Sequence, residues 1–288
     1  SIAASCDIEL ETFVHGSLCV SYSGQCLMSS LIGGRSGNRG RCAQPCRLPY
    51  ELRLGHDILE QGYLLSTRDL CTISFLDEII ASGVKSLKIE GRMKRPEYVA
   101  VVVSKYRKAL DYLQGRTSSP INQDDQEAML KIFHRGGFTK GYYYGVDEKD
   151  LMGIERPNHW GIEIGRIEKV FAGGKKARIF LQSPLYVGDG IEVRGNGMDK
   201  GGLTVSYIED LKGRQVQKAK EKEHVVIPVP KGSLAGDLLY KTTDAMQLKE
   251  ARLSYLDEEG LKIPLEGKIT LRVGEAASLQ LKDELSNY

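Results

Sequence analysis

The chain has 288 residues, 41% of them hydrophobic and 27% charged, with a formal net charge of +2. These values are close to globular averages and exclude a disordered tail, a collagen-like chain and a coiled-coil rod. The longest apolar runs, such as Tyr98–Val103, are far too short to span a bilayer. No basic segment followed by an apolar run opens the chain, so the sequence predicts a cytoplasmic protein without a secretory signal or membrane span.

In chain order, Asp7–His15 alternates, with Ile8, Leu10, Thr12 and Val14 on one face and Glu9, Glu11, Phe13 and His15 on the other. This period of two predicts a strand. Gly16 to Tyr50 is rich in Gly, Ser, Arg and Cys and has no long periodic pattern. A loop of that length is functional or is held by something other than a core. Glu51–Leu54 and Gly62–Leu65 read as a hairpin around His56-Asp57. Ser66 reads as the N-cap of a helix carrying Leu70, Ile73, Leu76, Ile79 and Ile80 and stopped at Gly83. Val84–Gly91 is the next expected strand, and Pro96 opens a helix running to about Leu113.

Strand, loop, helix, strand, helix is the order of α/β units in a parallel sheet or barrel. A complete eight-stranded barrel needs roughly 250 residues, so residues 1–117 hold only its last part. Residues 118–157 are a polar linker with Pro120, a short helix over Glu127–His134 and the aromatic run Tyr142-Tyr143-Tyr144. From 158 to 240 short strands set off by Gly and Pro predict a small all-β barrel, with Trp160 in its core. Residues 241–288 read as the start of a further, incomplete domain. The chain opens on Ser1-Ile2-Ala3 without an initiator Met, and the expectation is a fragment of a longer protein whose missing N-terminal barrel portion is its natural partner.

The cysteines carry the strongest chemical signal. Cys19, Cys26, Cys42 and Cys46 cluster in the Gly-rich loop, Cys6 and Cys71 flank them, and none follows Cys71. A secreted disulfide scaffold spreads its cysteines through a small chain. Four clustered thiols in a large chain read instead as ligands of a soft metal or an iron–sulfur centre, against the alternatives of free buried thiols or a disulfide pair. The paired Cys-x2-Cys spacing of a zinc ribbon is absent. Cys6 reads as the end of a buried helix.

Glu11-x-Phe13-x2-Gly16-Ser17-Leu18-Cys19-x4-Gly24-x-Cys26-x-Met28-Ser29 resembles the signature of the peptidase U32 family. Asn38-Arg39-Gly40-Arg41-Cys42-Ala43-Gln44-Pro45-Cys46-Arg47 and Ser86-Leu87-Lys88-Ile89-Glu90-Gly91-Arg92-Met93-Lys94 resemble further family blocks. The resemblance covers about residues 7–240. It implies a TIM-like barrel followed by a small translation-factor-like β-barrel. It also implies a 4Fe–4S cluster on Cys19, Cys26, Cys42 and Cys46, with Cys71 an outside candidate. Members of the family support hydroxylation of a ribosomal-RNA cytidine, of the transfer-RNA wobble uridine or of a ubiquinone precursor. The RNA branches depend on prephenate, whereas the family name records a collagenase-like peptidase.

Glu11, His15 and Glu90 are the candidate catalytic groups, lying on polar strand faces that a barrel turns toward its functional end. Arg41, Arg47, Lys88 and Arg92 are the candidate substrate-binding groups. Arg92 suits a carboxylate or phosphate through its planar fork, although Lys88, Glu90 and Arg92 also fit a simple ion ladder. Lys85 to Arg116 holds nine basic residues against three acids, which reads as a basic rim for structured RNA. Tyr142-Tyr143-Tyr144 reads either as a base-stacking patch or as a strand packed between domains. His56, His134, His159 and His224 have no partner by spacing. Neither a His-Glu-x-x-His nor a Gly-x-Ser-x-Gly motif occurs.

Overall fold

The computed structural model describes all residues except 1, 146–147, 172, 196, 257–263, 275 and 284–288. A single turn, α1 (Ile2–Ser5), opens it and buries nothing. Cys6 beyond it is exposed rather than the end of a buried helix, because four residues cannot build an apolar face. The expected strand begins only at β1 (Glu11–Ser17). A register shift between Phe13 and His15 breaks its alternation. Val14, His15 and Gly16 are consequently buried in succession, while Glu11 stays exposed. A bulge of this kind re-aims side chains, and it separates His15 from the Glu11 face on which alternation had placed it.

The long loop holds one short helix, α2 (Met28–Gly33), and two 3-10 turns at Gly37–Arg39 and Pro45–Arg47. The hairpin is β2 (Tyr50–Leu54) with β3 (Asp57–Gly62), so its second strand comes earlier than expected. The largest departure is at residues 66–75. The segment expected to start a helix at Ser66 instead contains β4 (Asp69–Cys71), paired antiparallel with β1. Just before it, the Gly153 N–H donates to Ser66 O (2.7 Å) and the Arg68 N–H to Leu151 O (2.9 Å). With its backbone groups taken by distant partners this stretch cannot form helical bonds. The helix, α3, is therefore confined to Leu76–Ala81.

After β5 (Ser86–Ile89), α4 spans Pro96–Leu113 as expected, with Pro96 at its first turn and Tyr98, Val101, Val102, Tyr106 and Ala109 on the buried face. α5 (Gln123–Ile132) starts earlier than expected because Asn122 and Asp125 form a capping box. Two short elements, β6 (Phe138–Thr139) and α6 (Glu148–Leu151), close the first half.

The sheet of this half runs in the order β5-β1-β4-β6 and is mixed: β1–β5 and β4–β6 are parallel, β1–β4 antiparallel. It is thus not the all-parallel sheet expected of barrel units. Its core gathers Val14, Phe75, Leu76, Ile79, Tyr98, Val102, Tyr106 and Met129.

The second half contains β7 (Ile162–Val170), β8 (Lys176–Leu181), β9 (Leu185–Tyr186), β10 (Gly190–Gly195), β11 (Met198–Thr204), β12 (Ile208–Glu209), β13 (Gln215–Val216), β14 (Lys218–Ala219), β15 (His224–Pro228) and β16 (Leu238–Thr243). Eight of these form one antiparallel sheet, β11-β10-β16-β7-β8-β15-β12-β13, and β9 pairs with β14. Alternate residues such as Ile179, Leu181, Ile191, Val193 and Ile227 fill a second core. Trp160 is only half-buried at the junction of the two halves. It donates to Arg156 O (3.2 Å) and covers Gly136 rather than entering that core.

α7 (Ala245–Leu256) packs back on the first half through Arg252–Glu97 (2.7 Å) and through Gln247 Nε2 donating to Ala128 O (2.7 Å). A hairpin of β17 (Glu266–Thr270) and β18 (Ser278–Lys282) follows. No helix among the described residues is long and apolar enough to cross a membrane.

Candidate functional site

The loop between β1 and β2 sits at the end of the mixed sheet, and its shape is imposed from outside. Gly16 starts it at φ +112°, where an added Cβ would lie 2.4 Å from the Glu90 carbonyl. Only glycine allows β1 and the end of β5 to approach that closely. At the far end Arg47 points inward. Its Nη1 donates to Ser66 Oγ (2.7 Å) and to Thr67 O, and its Nη2 to Leu18 O (3.1 Å) and Thr67 Oγ1 (3.1 Å). Thr67 Oγ1 in turn donates to Leu18 O (2.6 Å). One guanidinium therefore ties both ends of the loop, beside Cys19 and Cys46, to the segment leading into β4.

Inside the loop, the Ala43 N–H donates to Ser29 Oγ (2.9 Å). Gln44 adopts the left-handed conformation (φ 57°), and its N–H donates to Cys42 Sγ (3.3 Å). All six cysteines are free. Burial pushes the Cys46 thiol above its ordinary range and Arg47 pulls it down, while Cys19, Cys42 and Cys26 each push it further up. Cys46 thus feels each of the other three sulfurs. Among the described residues, however, no three His, Cys, Asp or Glu side chains converge tightly enough for a single metal ion.

Arg41 is exposed, and its carbonyl accepts from Arg35 Nε (3.0 Å). Arg92 is also exposed and reaches over the loop, with Nη1 3.3 Å from the Cβ position of Gly40. Glu90 Oε1 accepts the Arg92 N–H (3.0 Å), which fixes the turn after β5. Glu11 and Lys88 pair with each other across β1 and β5 (2.8 Å), and Ser86 Oγ also donates to Glu11 (3.0 Å). The Lys88 and Ser86 bonds lower the Glu11 carboxyl, and Glu11 raises Lys88. Lys88 thus pairs with Glu11 on the neighbouring strand, a partner outside the Lys88, Glu90 and Arg92 ladder that the sequence left open.

His15 is fully buried against Tyr106 and Phe138, with ring centroids 5.6 and 5.2 Å away. Desolvation, with Lys94 as a lesser cause, lowers its pKa to about 3, so the ring is neutral. Its Nε2 is buried without a partner among the described residues.

Sequence reading missed three groups. Asp69, 2% exposed, accepts from Arg135 Nη1 (2.7 Å) and Ser17 Oγ (3.3 Å) and closes the floor beneath the loop. Lys94 stands over the Phe133 ring, 2.7 Å from its centroid, and burial with Arg135 lowers it to about 7. Tyr22 lies in the loop itself, 79% exposed. Asp69 and Arg135 are 66 residues apart, so spacing held no signal for them, whereas Tyr22 was an aromatic in a loop otherwise poor in them.

Much of the expected basic rim is engaged in structure. Lys105 and Lys108 pair with Asp125 (2.9 and 2.5 Å), and Arg107 and Arg116 with Asp111 (2.8 and 3.6 Å). His134, His159 and His224 also find partners, at Gly161 O (3.0 Å), the His134 N–H (3.1 Å) and Glu168 (3.0 Å) respectively. The exposed cations beside the cysteines are Arg35, Arg39 and Arg41.

Residues 1–153 match the family model Peptidase family U32. The chain belongs to this family. Three relatives frame it. It is 32% identical over 241 residues to the 23S rRNA 5-hydroxycytidine synthase of Escherichia coli, an alignment of 79% of this chain and 34% of that protein. It is 32% identical over 245 residues to the Collagenase of Porphyromonas gingivalis, 81% of this chain and 58% of that one. It is 30% identical over 233 residues to tRNA hydroxylation protein P1 of Bacillus subtilis, 76% and 54% respectively. The chain therefore spans between a third and three fifths of the length of these U32 relatives. The matched 153 residues contain the whole cysteine loop, the Arg47 clamp and the Asp69–Arg135 floor.

Proposed function

We propose that this chain carries the cluster-holding part of an RNA base hydroxylase, with a 4Fe–4S cluster on Cys19, Cys26, Cys42 and Cys46. One observation carries the reading: all four cysteines lie in one acid-free loop whose two ends, beside Cys19 and Cys46, are drawn together by Arg47. A cubane places its four thiolates at the corners of a tetrahedron wider than that around one ion, and it accepts an all-sulfur donor set. The residues fit such a group. When bound, it supplies one-electron chemistry, tuned by hydrogen bonds to its sulfurs and by solvent exposure.

The chain's own residues set that environment. Gln44 offers its amide to the Cys42 sulfur, and Arg47 holds the loop ends and places positive charge beside Cys46. Exposed Arg35, Arg39 and Arg41 offer phosphate contacts to structured RNA, ribosomal or transfer. Arg92, free over the loop, takes the carboxylate of the prephenate co-substrate that the family resemblance implies. Neutral His15 lies buried behind the loop with its Nε2 unpartnered among the described residues, and Glu90 orients the Arg92 turn. The names of the ribosomal- and transfer-RNA relatives support this reading.

The alternative is a peptidase, after the collagenase relative. A cysteine peptidase needs a thiol lowered and a histidine raised toward an ion pair. Cys71 faces His15 in the β1–β4 register. Burial raises this thiol and lowers this histidine, the reverse of that requirement.

The test is anaerobic purification of the full-length protein with iron and sulfide quantified, followed by the mass of nucleosides from treated RNA. Iron with sulfide, lost in Cys42→Ser and Cys46→Ser and kept in Cys6→Ser, supports the proposal. Full iron content in Cys46→Ser refutes the ligand set. Metal-free protein that cuts gelatin and leaves every nucleoside unchanged replaces the reading with the peptidase.

A further inference from the structure

Tyr22 lies three residues after Cys19 and four before Cys26, in a turn closed by the Gln25 N–H donating to Tyr22 O (3.2 Å). Its ring is 79% exposed. Large aromatic side chains at such exposure forfeit their burial energy, so the position is not explained by packing. One other aromatic faces it. Tyr142 lies 6.5 Å away, centroid to centroid, with the rings within 24° of parallel. That separation is near the far limit of direct ring contact, so Tyr142 holds Tyr22 weakly and leaves ring surface free.

Tyr142 is itself fixed. Its hydroxyl donates to Val20 O (3.2 Å) and lies 3.4 Å from Cys19 O, so it is tied to the strand of loop that carries Tyr22. Its neighbour Tyr143 donates to Phe13 O (2.8 Å) and packs on Phe75, and Tyr144 packs on Phe75 as well. The three-tyrosine run thus serves as a support, and the free aromatic is Tyr22.

The charge around this ring points to its occupant. Residues 12–50 contain four arginines and no acid. Asn38 Nδ2 donates to Gly24 O (3.0 Å), tying the turn that bears Arg39 and Arg41 to the turn that bears Tyr22. Both arginines are exposed. An exposed aromatic face beside free guanidiniums fits a polyanion with flat, unpaired rings. That is single-stranded nucleic acid, in which bases stack on aromatic side chains and phosphates sit on Arg.

We propose that Tyr22, supported by Tyr142, is the stacking platform for one unpaired nucleobase, held at the rim of the cysteine loop between Cys19 and Cys26. This deepens the RNA reading above and rests on it. The platform accounts for how a base, rather than only a phosphate backbone, is brought beside the loop.

The experiment measures binding of the full-length protein to a fluorescent stem-loop RNA with an unpaired loop, and to a fully paired duplex of equal length. Tyr22→Ala should weaken stem-loop binding about tenfold, the loss of one base–aromatic stack. Tyr22→Phe should bind within about twofold of the parent. Duplex affinity and the steepness of salt dependence should stay unchanged in both, because no phosphate contact is removed. In Arg39→Ala the salt dependence should become shallower for both RNAs.

The proposal fails if Tyr22→Ala binds the stem-loop like the parent, if it weakens both RNAs equally, or if the parent binds neither. It also fails if Tyr22→Ala changes the protein's mass in size-exclusion chromatography with light scattering, which would mark Tyr22 as a contact between protein copies. The two readings fail separately. Tyr22-dependent binding without an added oxygen leaves the platform standing and sinks the hydroxylase. Unchanged affinity in Tyr22→Ala with full nucleoside modification does the opposite.

Discussion

Gly16→Ala tests whether the loop takes its shape from the contact between β1 and the end of β5. The new Cβ would lie 2.4 Å from Glu90 O and 2.9 Å from Glu90 Cβ, and neither atom belongs to a flexible side-chain tip. Relief requires the two strands to part, which removes the bond from the Glu90 N–H to His15 O (2.8 Å). The φ of +112° costs a non-glycine residue about 1–3 kcal/mol. The lost backbone bond adds about 1 kcal/mol and the overpacking about 1–3 kcal/mol. The expected destabilisation is therefore about 3 kcal/mol or more, a large share of the about 5–15 kcal/mol by which domains are stable.

Gly115→Ala is the matched control. Gly115 has φ +70° with nothing within 4 Å of its Cβ position, so only backbone strain of about 1–2 kcal/mol applies. Urea unfolding of both variants, followed by far-UV circular dichroism, separates the two contributions. Equal destabilisation would refute the close-approach argument, since strain alone would then account for Gly16.

The remaining predictions concern the groups beneath and beside the loop. His15 and His159 are held neutral by burial at about 3 and about 4, below their ordinary 6.5. In that window the unfolded state binds more protons, so stability is complete above pH 6.5 and falls by about 1.4 kcal/mol per pH unit for each ring as pH drops toward those values. Chemical unfolding at pH 7, 6 and 5 checks this, and a flat profile contradicts it. Arg47→Lys keeps the charge but cannot reproduce four bonds from one planar fork. It should cost about 2–3 kcal/mol and expose the loop to early proteolysis, whereas parent-like protection would show that the clamp is dispensable.

How much the sequence disclosed depends on where each element's partners lie. α4 is legible because its signals are local: Pro96 at the first turn and an apolar stripe from Tyr98 to Ala109. The β-half is legible for the same reason, since its strands alternate and its turns carry glycine. The segment from Ser66 to Cys71 misleads because its local pattern imitates a capped helix while its backbone pairs with residues 151–153 and with β1. His15 is misplaced by a bulge, which no alternation reveals. The cysteine cluster was visible as spacing. The Asp69–Arg135 floor was invisible because it joins strand β4 to a turn far along the chain.

The loop's composition follows from what it must hold. Across residues 12–50 the chain places four cysteines and four arginines and no carboxylate. A thiolate forms readily beside guanidinium and with difficulty beside an acid. A loop built to present several thiolates therefore excludes Asp and Glu and takes its structural bonds elsewhere. The bonds here agree with that requirement. Arg47 is satisfied by two carbonyls and two hydroxyls instead of a carboxylate. The one buried acid nearby, Asp69, is answered by Arg135 from another part of the fold. With four thiolates neutralised in part by the proposed cluster, Arg35, Arg39 and Arg41 keep positive charge in excess at the surface. The sequence feature that suits sulfur ligation is thus the same one that leaves the rim attractive to RNA phosphates, so the proposed cluster and the proposed substrate rest on one physical demand.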